Sequence, residues 1–346
     1  MANQVVTINS KFLHLIGWDR FCIDKLVTAE KILYANVQEK VKFRHVPIEL
    51  GHSSIYTVSL AEEKFPTKTP FVILHGIGGS SGFWATNFDE LAKYRPVHAI
   101  DLLGFGRSSR LPLSSNPVIA ESEWIQSIEE WRKAMKIDKM ILIGHSLGGY
   151  LAAAYALKYS KNMQHLILIE PWGFDKKPEL LQPGIMPWWR NLFKNIVYPC
   201  IVLSLIRISG PFANSFLREQ FPDLPRRHQI PASDSDSVYE YFYQINAQKP
   251  TGENAFKTLS EFGYAKNPII QRIEKLDSNL PITFIYGDLS ACKSSIGFEV
   301  KEMRSKSYVD VNVVKGVGHH PHIDKKEDFN VLMEKIDNFI EERKNL

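Results

Sequence analysis

The sequence predicts an α/β fold: a mostly parallel central sheet with helices on both faces and a helical cap inserted into it. Three observations carry this. Short apolar runs of strand length alternate with helical stretches, the pattern of strands buried on both faces. The motif Gly144-His-Ser-Leu-Gly148 lies between one such run and an Ala/Leu-rich helical segment. The alternation stops at Pro171 and resumes near Pro268, as an insertion would make it do.

Taken in order, residues 9–40 read as amphipathic helix, with Phe12, Leu13, Ile16, Trp18 and Phe21 set among Lys11, Asp19, Arg20 and Lys25. Such a segment either packs on the core or lies on a membrane surface. Residues 42–60 read as strands joined by a polar turn, followed by the buried-type runs Pro70–Leu74 and Pro96–Asp101. Glu121–Met135 is an amphipathic helix with Trp124, Ile125, Ile128 and Trp131 on one face. The strand Lys139–Ile143, the Ser146 turn, the helix Leu147–Lys158 and the strand His165–Glu170 form the next unit. The interrupted stretch is rich in proline, contains Trp188 and Trp189, and reads as a mostly helical cap. Strands at Pro281–Tyr286 and Val311–Val314 and a helix around Phe329–Ile340 close the chain. The expected organisation is an N-terminal amphipathic segment (1–40), a core in two parts (41–171 and 269–346) and a cap (172–268).

Composition narrows the function classes. The 346 residues are 44% hydrophobic and 23% charged with a net charge of +4, too small an excess to call for nucleic acid. Cys22, Cys200 and Cys292 are scattered and odd in number, so no disulfide framework is expected and a reducing, cytoplasmic compartment fits. No basic region followed by an apolar run opens the chain, so no signal peptide is expected. The longest apolar stretch, Ile196–Ile206, is shorter than the ~20 residues that span a bilayer. Peripheral contact with a membrane is the expectation.

The chemistry is carried by three motifs. Gly144-His-Ser-Leu-Gly148 is a G-x-S-x-G turn from strand to helix, which forces the serine into strained geometry and tolerates only small neighbours. Ser146 is therefore the candidate nucleophile. His75-Gly-Ile-Gly-Gly79 follows an earlier strand and can aim the N–H of Ile77 at the oxygen of a bound ester, with the N–H of Leu147 as second donor. Gly316-Val-Gly-His319-His-Pro-His322-Ile-Asp324 follows the last strand, where this serine chemistry places its base. His319 is the candidate base, with His320 and His322 as rivals. A metal site built from the three histidines lacks a supporting carboxylate or cysteine pattern, so no metal and no cofactor are expected. The triad acid is the open member. Asp288 stands directly after a strand, where a turn-forming role explains it equally well; Glu170, at the end of another strand, is the alternative.

Asp101-Leu-Leu-Gly-Phe-Gly-Arg-Ser-Ser109, Gly144-His-Ser-Leu-Gly-Gly149, Glu170-Pro-Trp-Gly-Phe174, Asn246-Ala-Gln and Gly252-Glu-Asn-Ala-Phe256 together resemble α/β-hydrolase-domain proteins four and five over roughly residues 70–335. The resemblance implies the α/β-hydrolase fold and lipid metabolism at droplets or intracellular membranes. One member of that branch is a lysophospholipase acting on N-acyl phospholipids. Its sibling co-activates a triglyceride lipase on lipid droplets, has been described as a lysophosphatidic acid acyltransferase, and in vertebrates lacks the elbow serine that this chain keeps as Ser146. The family acid aligns with Lys293, which cannot accept the imidazole N–H. His319 and Asp324 match the acyltransferase signature. The implied partners are an acyl-ester lipid, a triglyceride lipase and a droplet surface contacted by Trp18, Trp188 and Trp189. The resulting expectations are a serine hydrolase of lysophospholipids or acylglycerols through Ser146, and, from the Lys293 loop, an adaptor whose triad is incomplete.

Overall fold

The computed structural model of the chain describes residues 21–178 and 198–344. Ten strands are present among the described residues: β1 (Lys42–Pro47), β2 (Ser54–Leu60), β3 (Phe71–Leu74), β4 (Val97–Ile100), β5 (Met140–His145), β6 (Met163–Ile169), β7 (Ser260–Glu261), β8 (Tyr264–Ala265), β9 (Ile282–Gly287) and β10 (Val309–Val314). Eight form one sheet in the order β1-β2-β4-β3-β5-β6-β9-β10, and β7 with β8 makes a separate short hairpin. β2 is antiparallel to both its neighbours, and every other pair in the large sheet is parallel.

The helices in chain order are α1 (Ile23–Leu33), α2 (Ala85–Leu91), α3 (Pro117–Ala134), α4 (Leu147–Tyr159), α5 (Tyr198–Ser209), α6 (Ala213–Gln220), α7 (Leu224–Arg227), α8 (Ser235–Asn246), α9 (Thr251–Leu259), α10 (Ser295–Met303), α11 (Pro321–Asp324) and α12 (Lys326–Lys344). α3 starts where Asn116 accepts the N–H groups of Val118 and Ile119, with Pro117 pre-set for the first turn. α4 is apolar around most of its circumference and is correspondingly buried, from Leu147 to Ala156.

Alternation along the central strands divides the core into two layers. Val72, Leu74 and Leu142 pack with Trp124 and Trp131 of α3 and with α4. Their neighbours Phe71, Ile73, Ile141 and Ile143 pack on the other face with Phe88 and Leu91 of α2 and with Phe329, Met333 and Ile336 of α12. The continuous apolar runs in the sequence thus mark strands covered on both faces. Each parallel strand ends at the same sheet edge, and there the loops carrying the three motifs converge.

Between β6 and β9 the described residues form α5 to α9 and the β7–β8 hairpin. α1 joins this helical layer rather than the main core. Leu26, Ala29 and Leu33 pack with Leu203, Ile206, Leu217, Val238 and Tyr241. The helix expected over residues 9–40 ends at Leu33 within the described residues, where Tyr34 turns the chain towards β1. Thus 23–33 is a docked helix. Trp18, Trp188 and Trp189 lie outside the described residues. The run Cys200–Gln220 has the length and apolar composition of a membrane span. It is broken at Gly210-Pro211, however, and buries Cys200, Leu203, Ile206, Ala213 and Leu217 inside the protein.

Candidate active site

Ser146 sits at the sharp turn between β5 and α4 with φ 54° and ψ −115°, a conformation that side chains other than glycine rarely adopt. The neighbours make the strain tolerable. A Cβ on Gly144 would collide with the Gly148 carbonyl, and one on Gly148 would collide with the Leu74 carbonyl. The Ser146 carbonyl accepts the N–H groups of Gly149 (3.0 Å), Tyr150 (3.1 Å) and Trp172 (3.1 Å). The last bond gives the Pro-Trp-Gly-Phe motif a structural role: it clamps the elbow from the end of β6, and the Trp172 ring packs on Tyr150 and Phe256.

The His75–Gly79 loop passes beside the elbow closely enough that a Cβ on Gly76 would lie 2.9 Å from His145 Nδ1 and 3.1 Å from Ser146 Cβ. His75 pins this loop, donating from Nδ1 to the Gly76 carbonyl at 2.7 Å and accepting the Leu102 N–H on Nε2 at 2.9 Å. Leu147 is the first residue of α4, so its N–H lies outside the helical ladder. Ile77, Ser146 and His319 all line one cavity of about 760 Å³. Most of its wall is apolar, including Phe83, Trp84, Leu203 and Phe242. Among the described residues no hydrogen bond joins Ser146 Oγ to the imidazole, and such contacts commonly tighten only when substrate binds.

The carboxylate of Glu170 selects His319 from the three histidines. Glu170 directly follows β6 with φ 47° and is completely buried. Its Oε1 accepts the Gly287 N–H at 2.5 Å, and its Oε2 accepts the Ser290 hydroxyl and faces His319 Nδ1 at 3.3 Å. A buried carboxylate so placed holds the ring with Nε2 free for a serine proton, in the tautomer that general-base catalysis needs. His320 packs edge-on against His319 and tilted against His145. His322 stacks on Trp84 at 4.3 Å, and burial holds its pKa well below the usual histidine range. His145 anchors the base loop by donating Nε2–H to the His319 carbonyl at 2.8 Å; burial, with the charge of His319, holds its pKa down to about 3, so it stays neutral.

Asp288, expected as the acid, does not face the imidazole. Its side chain is exposed and accepts the Gly316 N–H at 2.7 Å, tying the end of β9 to the turn after β10. It is a turn residue, and the carboxylate at the imidazole is Glu170, from the neighbouring strand. Lys293, where the resemblance would place the acid, is exposed. Its neighbour Cys292 turns inward instead, with Sγ 3.9 Å from His319 Nδ1; burial pushes the thiol up to about 12, so it is protonated. Asp324 pairs with Arg227 of α7 at 2.7 Å, joining the base loop to the cap. Cys292 and His145 were not singled out from sequence, since nothing local marks a cysteine or histidine that approaches an imidazole in space.

A family model described as alpha/beta hydrolase fold matches residues 69–326. The chain belongs to the α/β-hydrolase family. It is 41% identical over 296 residues to the 1-acylglycerol-3-phosphate O-acyltransferase ABHD5 of Rattus norvegicus, covering 85% of this chain and 84% of that one. It is 38% identical over 324 residues to the (lyso)-N-acylphosphatidylethanolamine lipase of Mus musculus, covering 92% and 93%. The two identities are too close to place the chain with one or the other. Among solved structures, a putative lipase of Acinetobacter baumannii superposes with a TM-score of 0.66 at 15% identity, covering 92% of this chain and 97% of that one. A membrane phospholipase A, described as a bacterial virulence factor, gives 0.63 at 18% identity, covering 97% and 94%. These two likenesses establish the shared fold.

Proposed function

We propose that the protein is a serine hydrolase of lysophospholipid or acylglycerol esters. The observation that supports it most is the Glu170 carboxylate at His319 Nδ1, which supplies the member that the Lys293 loop lacks. In this reading His319 Nε2 removes the proton from Ser146 as Oγ attacks the ester carbonyl. The oxyanion forms against the N–H groups of Ile77 and Leu147, and Glu170 stabilises the imidazolium. The imidazolium then protonates the departing alcohol. Water, activated by the same ring, releases the fatty acid. The apolar cavity receives the acyl chain, and the two groups of relatives named above, an acylglycerophosphate acyltransferase and an N-acylphosphatidylethanolamine lipase, argue for a lipid.

The test is a panel of lysophospholipids and acylglycerols incubated with wild type and Ser146→Ala, with fatty acid release followed by mass spectrometry. Release that depends on Ser146 is expected. A folded wild type that releases no fatty acid from any of them would refute this reading.

A second reading concerns location and partners. Leu205, Ile208 and Phe212 project from one side of α5 and the turn after it, exposed by 43%, 75% and 73%, while Val202 and Leu203 line the cavity. An apolar ridge beside the cavity supports peripheral attachment to a droplet or intracellular membrane, to which Trp18, Trp188 and Trp189 would add. On such a surface the protein would also be placed to stimulate a triglyceride lipase, as the resemblance implies. Flotation with artificial droplets, comparing wild type with a Leu205→Ser/Ile208→Ser/Phe212→Ser variant, is expected to show loss of binding. Unchanged flotation would remove the ridge from this reading.

A further inference from the structure

We propose that Glu170, Cys292 and His319 form a binding site for Zn²⁺, and that its occupation switches the hydrolase off. The proposal rests on the reading of His319 as the base and adds a regulator acting on it. The three side chains come from three separate segments: the end of β6, the loop after β9 and the loop after β10. Each brings one donor atom to a common point, and the three atoms lie within 4.8 Å of one another.

The chemistry of the set is that of zinc. A carboxylate oxygen, an imidazole nitrogen and a thiolate are the three protein donor types it takes, and three protein ligands with one open position form a recognised arrangement. Bond lengths of ~2.0–2.1 Å to N or O and ~2.3 Å to S at tetrahedral angles require N···O separations of ~3.3 Å and N···S separations of ~3.6 Å. The observed separations are 3.3 Å between His319 Nδ1 and Glu170 Oε2, and 3.9 Å between Cys292 Sγ and His319 Nδ1. The remaining contraction falls to Cys292, whose Sγ lies 3.7 Å from the Glu170 carbonyl and 3.9 Å from the ring. Glu170 is fixed by Gly287 and Ser290 in the manner of a ligand oriented from behind. Cys292 and His319 line the cavity, so the fourth position opens into it and the cation enters by the substrate's route.

Binding inactivates through the histidine tautomer. The cation takes the lone pair of Nδ1, so the ring's single proton must reside on Nε2. Nε2 is the atom that has to accept the Ser146 proton, and in this tautomer it has no lone pair to offer. The Cys292 thiol proton leaves to solvent, and the Glu170 carboxylate exchanges its hydrogen bond for a metal bond. No oxidant or reductant is involved. Removal of the cation restores the active tautomer.

The experiment uses the full chain and two readouts. Titration with Co²⁺, a spectroscopic stand-in for Zn²⁺, should produce a thiolate-to-cobalt charge-transfer absorption in wild type. That band should be absent from both Cys292→Ala and Cys292→Ser, which leave Cys22 and Cys200 in place. In parallel, Zn²⁺ should slow labelling of Ser146 by a fluorophosphonate probe, a chelator should restore it, and Cys292→Ala, which removes a ligand itself, should need at least as much extra Zn²⁺ as loss of an outer-shell partner costs, roughly 10–100-fold or more. A wild type without the band, or a band that persists in both variants, would overturn the proposal. If Ser146 is not labelled even with chelator present, the hydrolase reading fails, and the cobalt band still decides on its own whether the site exists.

Discussion

Mild acid should destabilise this protein steeply, because its interior is stocked with neutral histidines. Burial holds His98 down to about 4 and His145, His165 and His228 down to about 3, each from an ordinary value of 6.5. The unfolded chain binds these protons below pH 6.5 and the folded chain does not, so stability is complete above pH 6.5 and falls as the pH drops towards the folded values. Each group removes ~1.4 kcal/mol per pH unit in that window, and between pH 7.5 and 5.5 the four together remove ~5 kcal/mol. One buried carboxylate opposes them. Glu30 is pushed up to about 7 by burial, against the pull of Arg107, and it returns ~2 kcal/mol over the same interval. A net loss of ~3 kcal/mol remains, a large part of the ~5–15 kcal/mol that holds a typical domain together. Urea denaturation followed by circular dichroism at pH 7.5, 6.5 and 5.5 reads this as a falling midpoint at constant slope. A midpoint that stays level or rises towards pH 5.5 would refute the reasoning.

Other perturbations separate the site residues from their neighbours. Glu170→Gln should lower kcat/KM by roughly 10²–10⁴-fold by removing the charge that orients the imidazole, while Asp288→Asn should leave it within about twofold; equal losses in both would return the acid assignment to Asp288. Gly76→Ala should reduce kcat at least about tenfold with KM little changed, since the new methyl group presses on His145 and the Ser146 side chain; unimpaired turnover would mean the loop does not approach the nucleophile as described. Asp324→Asn breaks the exposed pair with Arg227 and should cost no more than ~1 kcal/mol in thermal unfolding. A much larger loss would show that this contact holds the cap to the core.

Much of the molecule was legible in the sequence for local reasons. Ser146 and His319 stand in short contiguous motifs placed after strands, so a reading of pattern alone reaches them. The layered core followed from apolar runs too short for helices. The acid was harder to read. Glu170 and His319 are 149 residues apart, and they meet because β6, β9 and β10 lie side by side in the sheet, which strand order determines and no motif announces. Asp288 looked better placed because it stands immediately after a strand, yet its bond to Gly316 shows the same residue serving a turn. Cys292 was masked by the Lys293 beside it. The helix expected through residue 40 stops at Leu33 because α1 is held by the apolar contacts of Leu26, Ala29 and Leu33, and its pattern does not continue beyond them.

The central claim is that Ser146 is an activated nucleophile, and covalent labelling of the purified full-length protein by a fluorophosphonate probe tests it most directly. The account predicts rapid labelling of wild type, none of Ser146→Ala, and markedly slower labelling of Glu170→Gln. A folded wild type that does not label, or a Ser146→Ala variant that labels as fast as wild type, would contradict it.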